Sequence, residues 1–203
     1  MGKVAIGCLV LVILAAGLLV VWGVGIYNGL IQSEERVTEA WAQVETTYQR
    51  RADLIPNLVS TVQGAADFEQ ETLNQVIEAR SRVGQVQVDN PGELINDPAA
   101  FARFEAAQGA LSSALQRLLV VVERYPELRA VAAFQDLMVQ LEGTENRISV
   151  ARMRFNETAR DFNVRLRRFP NRLLVDALGW AFETKTYFAA QPGAEEAPVV
   201  SFD

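Results

Sequence analysis

From Val4 to Ile26 the chain reads VAIGCLVLVILAAGLLVVWGVGI, 23 residues without one charged side chain. At a rise of about 1.5 Å per residue this run makes roughly 34 Å of helix, enough to cross a hydrocarbon core about 30 Å thick. The stretch therefore predicts a transmembrane helix over 4–26 behind a short tail at 1–3. A cleaved signal peptide is the competing reading, but its apolar region normally spans about 7–15 residues before a small-residue cleavage site. Here the run continues past Ala15 and Ala16. Ala5, Ile6 and Gly7 ahead of Cys8 resemble a lipoprotein processing box, yet the apolar stretch that should precede such a box comes after it. Lys3 lies on the short side of the span, and the first basic residue beyond it, Arg36, is flanked by Glu34 and Glu35. Counting Lys and Arg near the membrane ends favours an inside N-terminus and an extracytoplasmic domain.

Beyond the span the chain has room for one modest domain, and composition limits its chemistry. Histidine is absent and Cys8 is the only cysteine, which removes imidazole bases, Cys/His zinc sites and disulfide frameworks. No phosphate loop, positioned nucleophile or metal-ligand spacing stands in their place. Neither a catalytic residue, a cofactor nor a metal is expected. Acidic residues outnumber basic ones by 25 to 19, for a net charge of −6, and the arginines are not interleaved with aromatics. With an anchor in addition, nucleic acid is an improbable partner.

The periodicity is helical throughout. Between Gln32 and about Val86, Val37, Val44, Arg51, Leu58 and Ala65 form one seven-residue series and Trp41, Tyr48, Ile55, Val62 and Glu69 another. Alternating steps of four and three make a coiled-coil-like stripe. Ser33 is a candidate cap, the alternative being a helix that runs out of the membrane without a break, and Pro56 with Gly64 predicts a kink. The segment 84–98, with Asn90-Pro91-Gly92 and Asp97-Pro98, predicts a loop with a short extended piece at 86–88. Asp97 caps a second helix over 98–123, striped by Phe101, Phe104, Gln108, Leu111, Leu115, Leu118 and Val122. A third helix, 126–169, carries Phe134, Leu141, Ile148, Phe155, Phe162 and Phe169 seven apart. At about 1.5–3 kcal/mol for each buried side chain, that row can anchor a core. A shorter fourth helix, 171–182, presents Leu174, Ala177, Leu178 and Ala181. The expected fold is thus all-α: a transmembrane helix and then, over 33–188, an elongated antiparallel bundle of about four helices, three long and one short. The tail at 190–203 has no periodicity and reads as disordered.

Charges on the stripes need partners, because an unpaired buried charge costs several kcal/mol. Arg51 interrupts the first helix, and Glu145 and Arg152 interrupt the companion row of the third, through Met138, Ala159 and Leu166. Glu145 and Arg152 stand about 10 Å apart along their helix, so cross-helix pairing is expected: Arg51 or Arg50 with Glu145, and Arg152 with Asp53. That pairing assumes parallel first and third helices. The candidate site is accordingly a polar clamp or partner patch of Arg51, Asp53, Asn57, Glu145, Asn146, Arg152 and Asn156. Separately, residues 147–172 hold eight Arg against Glu157 and Asp161. This is the usual composition of a solvated helix face, or a contact with anionic headgroups through Arg160, Arg165, Arg167, Arg168 and Arg172.

The runs Arg50-Arg51-Ala52-Asp53-Leu54-Ile55-Pro56-Asn57-Leu58-Val59, Tyr125-Pro126-Glu127-Leu128, Leu141 to Ile148 with Ala151-Arg152, Phe155-Asn156 and Phe169-Pro170 closely resemble the LemA family of bacterial membrane proteins. The likeness extends over about 5–188 in the expected order. Phe68-Glu69 departs from it, since family members commonly carry His-Glu there. The resemblance implies a single-pass protein of the bacterial cytoplasmic membrane with a helical bundle and no established activity, cofactor or ligand. It also implies roles in cell-envelope or membrane organisation, with a membrane protease among the candidate partners. Residues and resemblance together point to a non-enzymatic, membrane-anchored scaffold or adaptor acting through protein contacts with envelope proteins or with itself. An anionic-lipid-binding or membrane-shaping protein is the alternative, and a small-solute sensor a second one.

Overall fold

The computed structural model describes residues 2–64, 68–86 and 91–189. Helix α1, Gly2–Gln63, runs 62 residues from the apolar stretch into the bundle without interruption. Ser33 therefore lies inside a helix and caps nothing. Two environments divide it. Between Ile6 and Val24 large apolar side chains are exposed on all sides, the surface of a helix that only an apolar medium solvates. From Leu30 onward a stripe is buried: Val37, Trp41, Val44, Tyr48, Arg51, Ile55, Leu58 and Val62. The two expected series are thereby buried as far as Leu58 and Val62, whereas Glu69 is exposed and Ala65 lies outside the described residues.

The helix passes through Pro56 and stops at Gly64. Pro56 has no N–H to give the Ala52 carbonyl one turn back; instead Arg80 donates its Nε–H to that oxygen at 3.0 Å. The donor comes from α2, Gln70–Gln85, which folds back on α1. What the periodicity presents as one kinked helix is thus a helical hairpin. The seven-residue spacing carries on from Leu58 to Thr72 and Ala79 and from Val62 to Val76, all buried, so period alone runs straight across the turn.

The expected loop at 84–98 contains a short helix, α3, Pro91–Asn96, whose Leu94 and Ile95 are buried. Most of the expected extended piece at 86–88 lies outside the described residues. Helix α4, Pro98–Val122, begins where Asp97 accepts a hydrogen bond from the Ala99 N–H at 2.8 Å. Its entire predicted stripe faces inward, with only Phe104 half-buried. The predicted third helix breaks near its start into α5, Pro126–Arg129, and α6, Ala132–Arg167. Helix α6 buries Phe134, Leu141, Ile148, Phe155 and Phe162, but Phe169 lies past its end and is 80% exposed. Helix α7, Asn171–Leu178, buries no side chain and stops at Gly179, whose left-handed φ of 64° suits glycine. Of the residues it was expected to present, Leu174 is half-buried, Ala177 and Leu178 are exposed, and Ala181 lies past its end. The expected tail, 190–203, lies outside the described residues.

Side-chain contacts set the topology. Gly29 meets Arg165, Trp41 meets Phe155 edge-on and Arg51 binds Glu145, so position rises along α1 as it falls along α6. These helices are antiparallel, not parallel as expected, because the α1–α2 hairpin adds one reversal of the chain. The bundle runs up in α1, down in α2, up in α4 and down in α6. Two apolar clusters fill it: one near the apolar end, around Trp41, Phe101, Phe155 and Phe162, and one at the far end, around Leu58, Val76, Leu118 and Phe134.

Candidate functional site

Between the two clusters sits a polar layer. Each long helix supplies it at the corresponding step of its apolar row: Arg51 between Val44 and Leu58, Gln108 between Phe101 and Leu115, and Glu145 beside buried Thr144. Arg51 is 1% exposed. Its Nη1 donates to Glu145 Oε1 at 2.9 Å and to Ser112 Oγ at 2.8 Å, while Nη2 donates to Gln108 Oε1 and, at 3.4 Å, to the Gln108 carbonyl. The guanidinium also lies 5.0 Å from the centre of the Tyr48 ring. Its Nε is buried and makes no hydrogen bond. The expected Arg51–Glu145 pair therefore forms, with a carboxylate that is 48% exposed on its outer side.

Arg152 does not reach Asp53. It pairs with Glu105 of α4 at 3.3 Å, donates to the Ala189 carbonyl at 3.4 Å and stacks over Phe188 at 4.4 Å. Burial pushes the Glu105 carboxyl above its usual range, and Arg152 opposes that shift. Burial likewise raises the Tyr48 hydroxyl, against the pull of Arg152 and Arg51. These groups line a recess of about 330 Å³ that includes Gln108, Ser112 and Ala189. Asp53 lies exposed on another face, accepting from Gln49 at 2.8 Å, and Asn57 is exposed too. Asn146 is exposed in a groove between α1 and α6 with Arg36, Gln43 and Arg154. The seven expected residues thus fall into separate places, of which the Arg51–Glu145–Arg152 region is the compact one.

Asn156 belongs to a different device. Its amide donates to the Phe188 carbonyl at 3.0 Å and accepts from the Phe188 N–H at 2.9 Å. Asn163 does the same for Lys185, at 2.8 Å in both directions. Seven residues of helix span about 10.5 Å and three residues of extended chain about 10 Å, so two brackets on α6 match the pitch of the segment they hold. Phe188 enters the rings of Trp41, Phe101 and Phe155. Lys185 Nζ is buried against Glu34 at 2.6 Å and Asn96 at 2.8 Å. Residues 183–189 thus strap α1, α3 and α6 together. Sequence reading missed this strap because an extended segment fixed by side-chain amides has no period of its own. The available signal was in α6, where Phe155-Asn156 and Phe162-Asn163 place two asparagines seven apart.

The arginine-rich stretch is spread along α6. Arg165 packs its guanidinium against Gly29 of α1, where an added Cβ would lie 2.2 Å from Nη2. Arg147 stands eighteen residues away, about 27 Å along the helix. Only the last turns, with Arg165, Arg167, Arg168 and then Arg172, reach the end of the apolar stretch, and Arg160 lies about 7.5 Å farther up.

Known proteins are similar to this chain over most of its length. The chain is 25% identical over 189 residues to magnetosome protein MamQ 2 of Paramagnetospirillum magneticum, covering 86% of this chain and 68% of that protein. Magnetosome protein MamQ of Magnetospirillum gryphiswaldense is 26% identical over the same shares. Protein LemA of Metamycoplasma hominis is 24% identical over 77% of this chain and 67% of its own length. A LemA family profile matches residues 40–202, a span holding the polar layer, both asparagine brackets and the strap. With about four-fifths of its length under that match, the chain belongs to the LemA family.

Proposed function

We propose that the protein is a non-enzymatic scaffold or adaptor of the bacterial cell envelope, held in the cytoplasmic membrane by the apolar part of α1. The observation that carries this reading is the continuity of α1. One unbroken helix joins an all-round apolar segment to the core of the bundle, so the domain is coupled mechanically to the anchor. The polar groups that would otherwise suggest chemistry, Arg51, Glu145, Glu105 and Arg152, are engaged with one another. The relatives' names denote no enzyme. The groove between α1 and α6, which holds Arg36, Gln43, Asn146 and Arg154 beside Ala40, Val150 and Ala151, offers a protein-docking face along the shaft.

Photocrosslinking in cells from Asn146 tests the reading. Recovery of a discrete partner or of a second copy supports it, while protein that extracts as a monomer and crosslinks to nothing counts against it. Protease treatment of intact spheroplasts tests sidedness, and the charge distribution around the span favours digestion of the bundle from outside.

A second reading, binding to anionic lipid, is favoured by the position of the basic end of α6 beside Gly29. It draws on the last five arginines only, because Arg147 to Arg154 stand beyond the screening length of about 8 Å from the base.

A further inference from the structure

We propose that α7, with Phe169 before it, is an interfacial foot, dipping apolar side chains into the bilayer surface while the arginines at the end of α6 beside it hold anionic headgroups. The inference deepens the lipid reading and rests on the anchoring of α1 in that same bilayer. Three observations carry it.

The first is position. Both ends of the foot are pinned at the level where the apolar run stops: Arg165, just before it, packs on Gly29, and Trp180, just after it, meets Tyr27 edge-on at 4.9 Å between ring centres. Tyr27 and Gly29 lie one and three residues past Ile26, about 1.5 and 4.5 Å along the helix. A bilayer spanned by 4–26 therefore has its headgroup zone at the foot. Tyr27 and Trp180 form the kind of aromatic pair that settles at such an interface.

The second is the apolar surface. Phe169 is 80% exposed, Leu173 60% and Leu178 58%, although the chain has ample core in which to bury such residues. On α7, Leu173, Ala177, Leu174 and Leu178 cover one arc, whereas Arg172 and Asp176 pair at 3.4 Å on the opposite side. Val175 turns back to the core. Leu173, Ala177 and Leu178 are exposed on this arc and Leu174 is half-buried at its edge among the described residues, and a bilayer boundary matches such an apolar face.

The third is charge. Arg165, Arg167, Arg168 and Arg172 surround Phe169 in sequence, and Asp176 is the only acid between Asp161 and Glu183. A basic rim around an apolar tip is complementary to anionic headgroups over acyl chains. The foot gives the scaffold a second attachment, which fixes the tilt of the column on the membrane.

The test uses the full chain in nanodiscs, with Cys8→Ser removing the native thiol and an environment-sensitive fluorophore on one introduced cysteine. Lipids carrying a nitroxide near the headgroup report contact. In phosphatidylglycerol-containing discs, a label at Leu173→Cys should shift to the blue and lose intensity to the nitroxide, while one at Val139→Cys, near the far end of the bundle, should do neither. A label at Leu14→Cys monitors the anchor separately: burial there with no quenching at Leu173→Cys overturns the foot and leaves the anchored scaffold standing. Exposure at Leu14→Cys would overturn both. Arg167→Gln with Arg168→Gln, or discs of phosphatidylcholine alone, should weaken the quenching at Leu173→Cys, and unchanged quenching overturns the role of the arginines. Crosslinking between two copies through Leu173→Cys, without lipid quenching, would assign the face to a dimer contact and overturn the proposal.

Discussion

Pro56 and Arg80 show how a local defect is repaired by a distant residue. Helix α1 tolerates proline because the orphaned Ala52 carbonyl receives the Arg80 Nε–H from α2. Arg80→Ala should cost about 1 kcal/mol in the wild type and close to nothing beside Pro56→Ala, whose new N–H serves the same oxygen; a double-mutant cycle from urea unfolding in detergent measures the coupling. Arg51 poses the opposite problem, a charge placed where a methyl belongs. Glu145→Ala leaves that charge buried with neutral acceptors only. Because Glu145 is 48% exposed, the loss should be at the lower end for a charged hydrogen bond, about 1–2 kcal/mol in the same assay. Glu105 carries a pH signature. Its folded value is raised by burial, so the folded state holds its proton more tightly than the unfolded chain does. Stability contributed by this site therefore grows as pH falls from just above that raised value toward the ordinary glutamate range, and it levels off below. Melting temperatures of wild type and Glu105→Gln across that window should show the wild type gaining relative to the variant on acidification, and a constant gap would contradict the assignment.

At the scale of elements, the straight stretches of the bundle were legible and the reversals were not. Leu111, Leu115, Leu118 and Val122 on α4, and Phe134 to Phe162 on α6, are buried as their spacing requires, because a helix with one apolar stripe has only one way to hide it. The α1–α2 turn escaped because Leu58, Thr72 and Ala79 keep the seven-residue step across it, while the short fourth helix forms as expected from Asn171 but ends at Leu178 and turns most of its apolar arc away from the protein core. The strap was invisible to period analysis, yet it is held as firmly as a helix end. Asn156→Asp keeps the acceptor for the Phe188 N–H but loses the donor to its carbonyl, and Asn163→Ala loses both bonds to Lys185. Each should cost about 1–3 kcal/mol through unsatisfied backbone groups. Limited proteolysis should then cut within 180–189 at protease levels that leave the wild type whole.

Across the whole molecule, the polar layer separates a cluster near the apolar end from a distal one, so damage to one should travel weakly to the other. Phe188→Ala empties a site among Trp41, Phe101 and Phe155 and should cost about 3–5 kcal/mol. Hydrogen exchange should rise over 183–189 and α3 while amides around Leu118 and Val76 stay protected; uniform acceleration along the bundle would instead show a single cooperative core. Of the candidate site, Arg51–Glu145 was foreseeable, since a charge on an apolar row demands an opposite charge on a facing row. Arg152–Glu105 was not, because the choice of partner depends on which helix stands opposite. Local composition and spacing along one chain were enough to reveal the long apolar segment, the helical rows and the family. That α1 and α6 run antiparallel, that the asparagines clamp a strap and that α7 lies exposed at the base emerged from the folded chain alone. Each of these depends on contacts between residues far apart in the chain, and a seven-residue period carries no information about which rows meet.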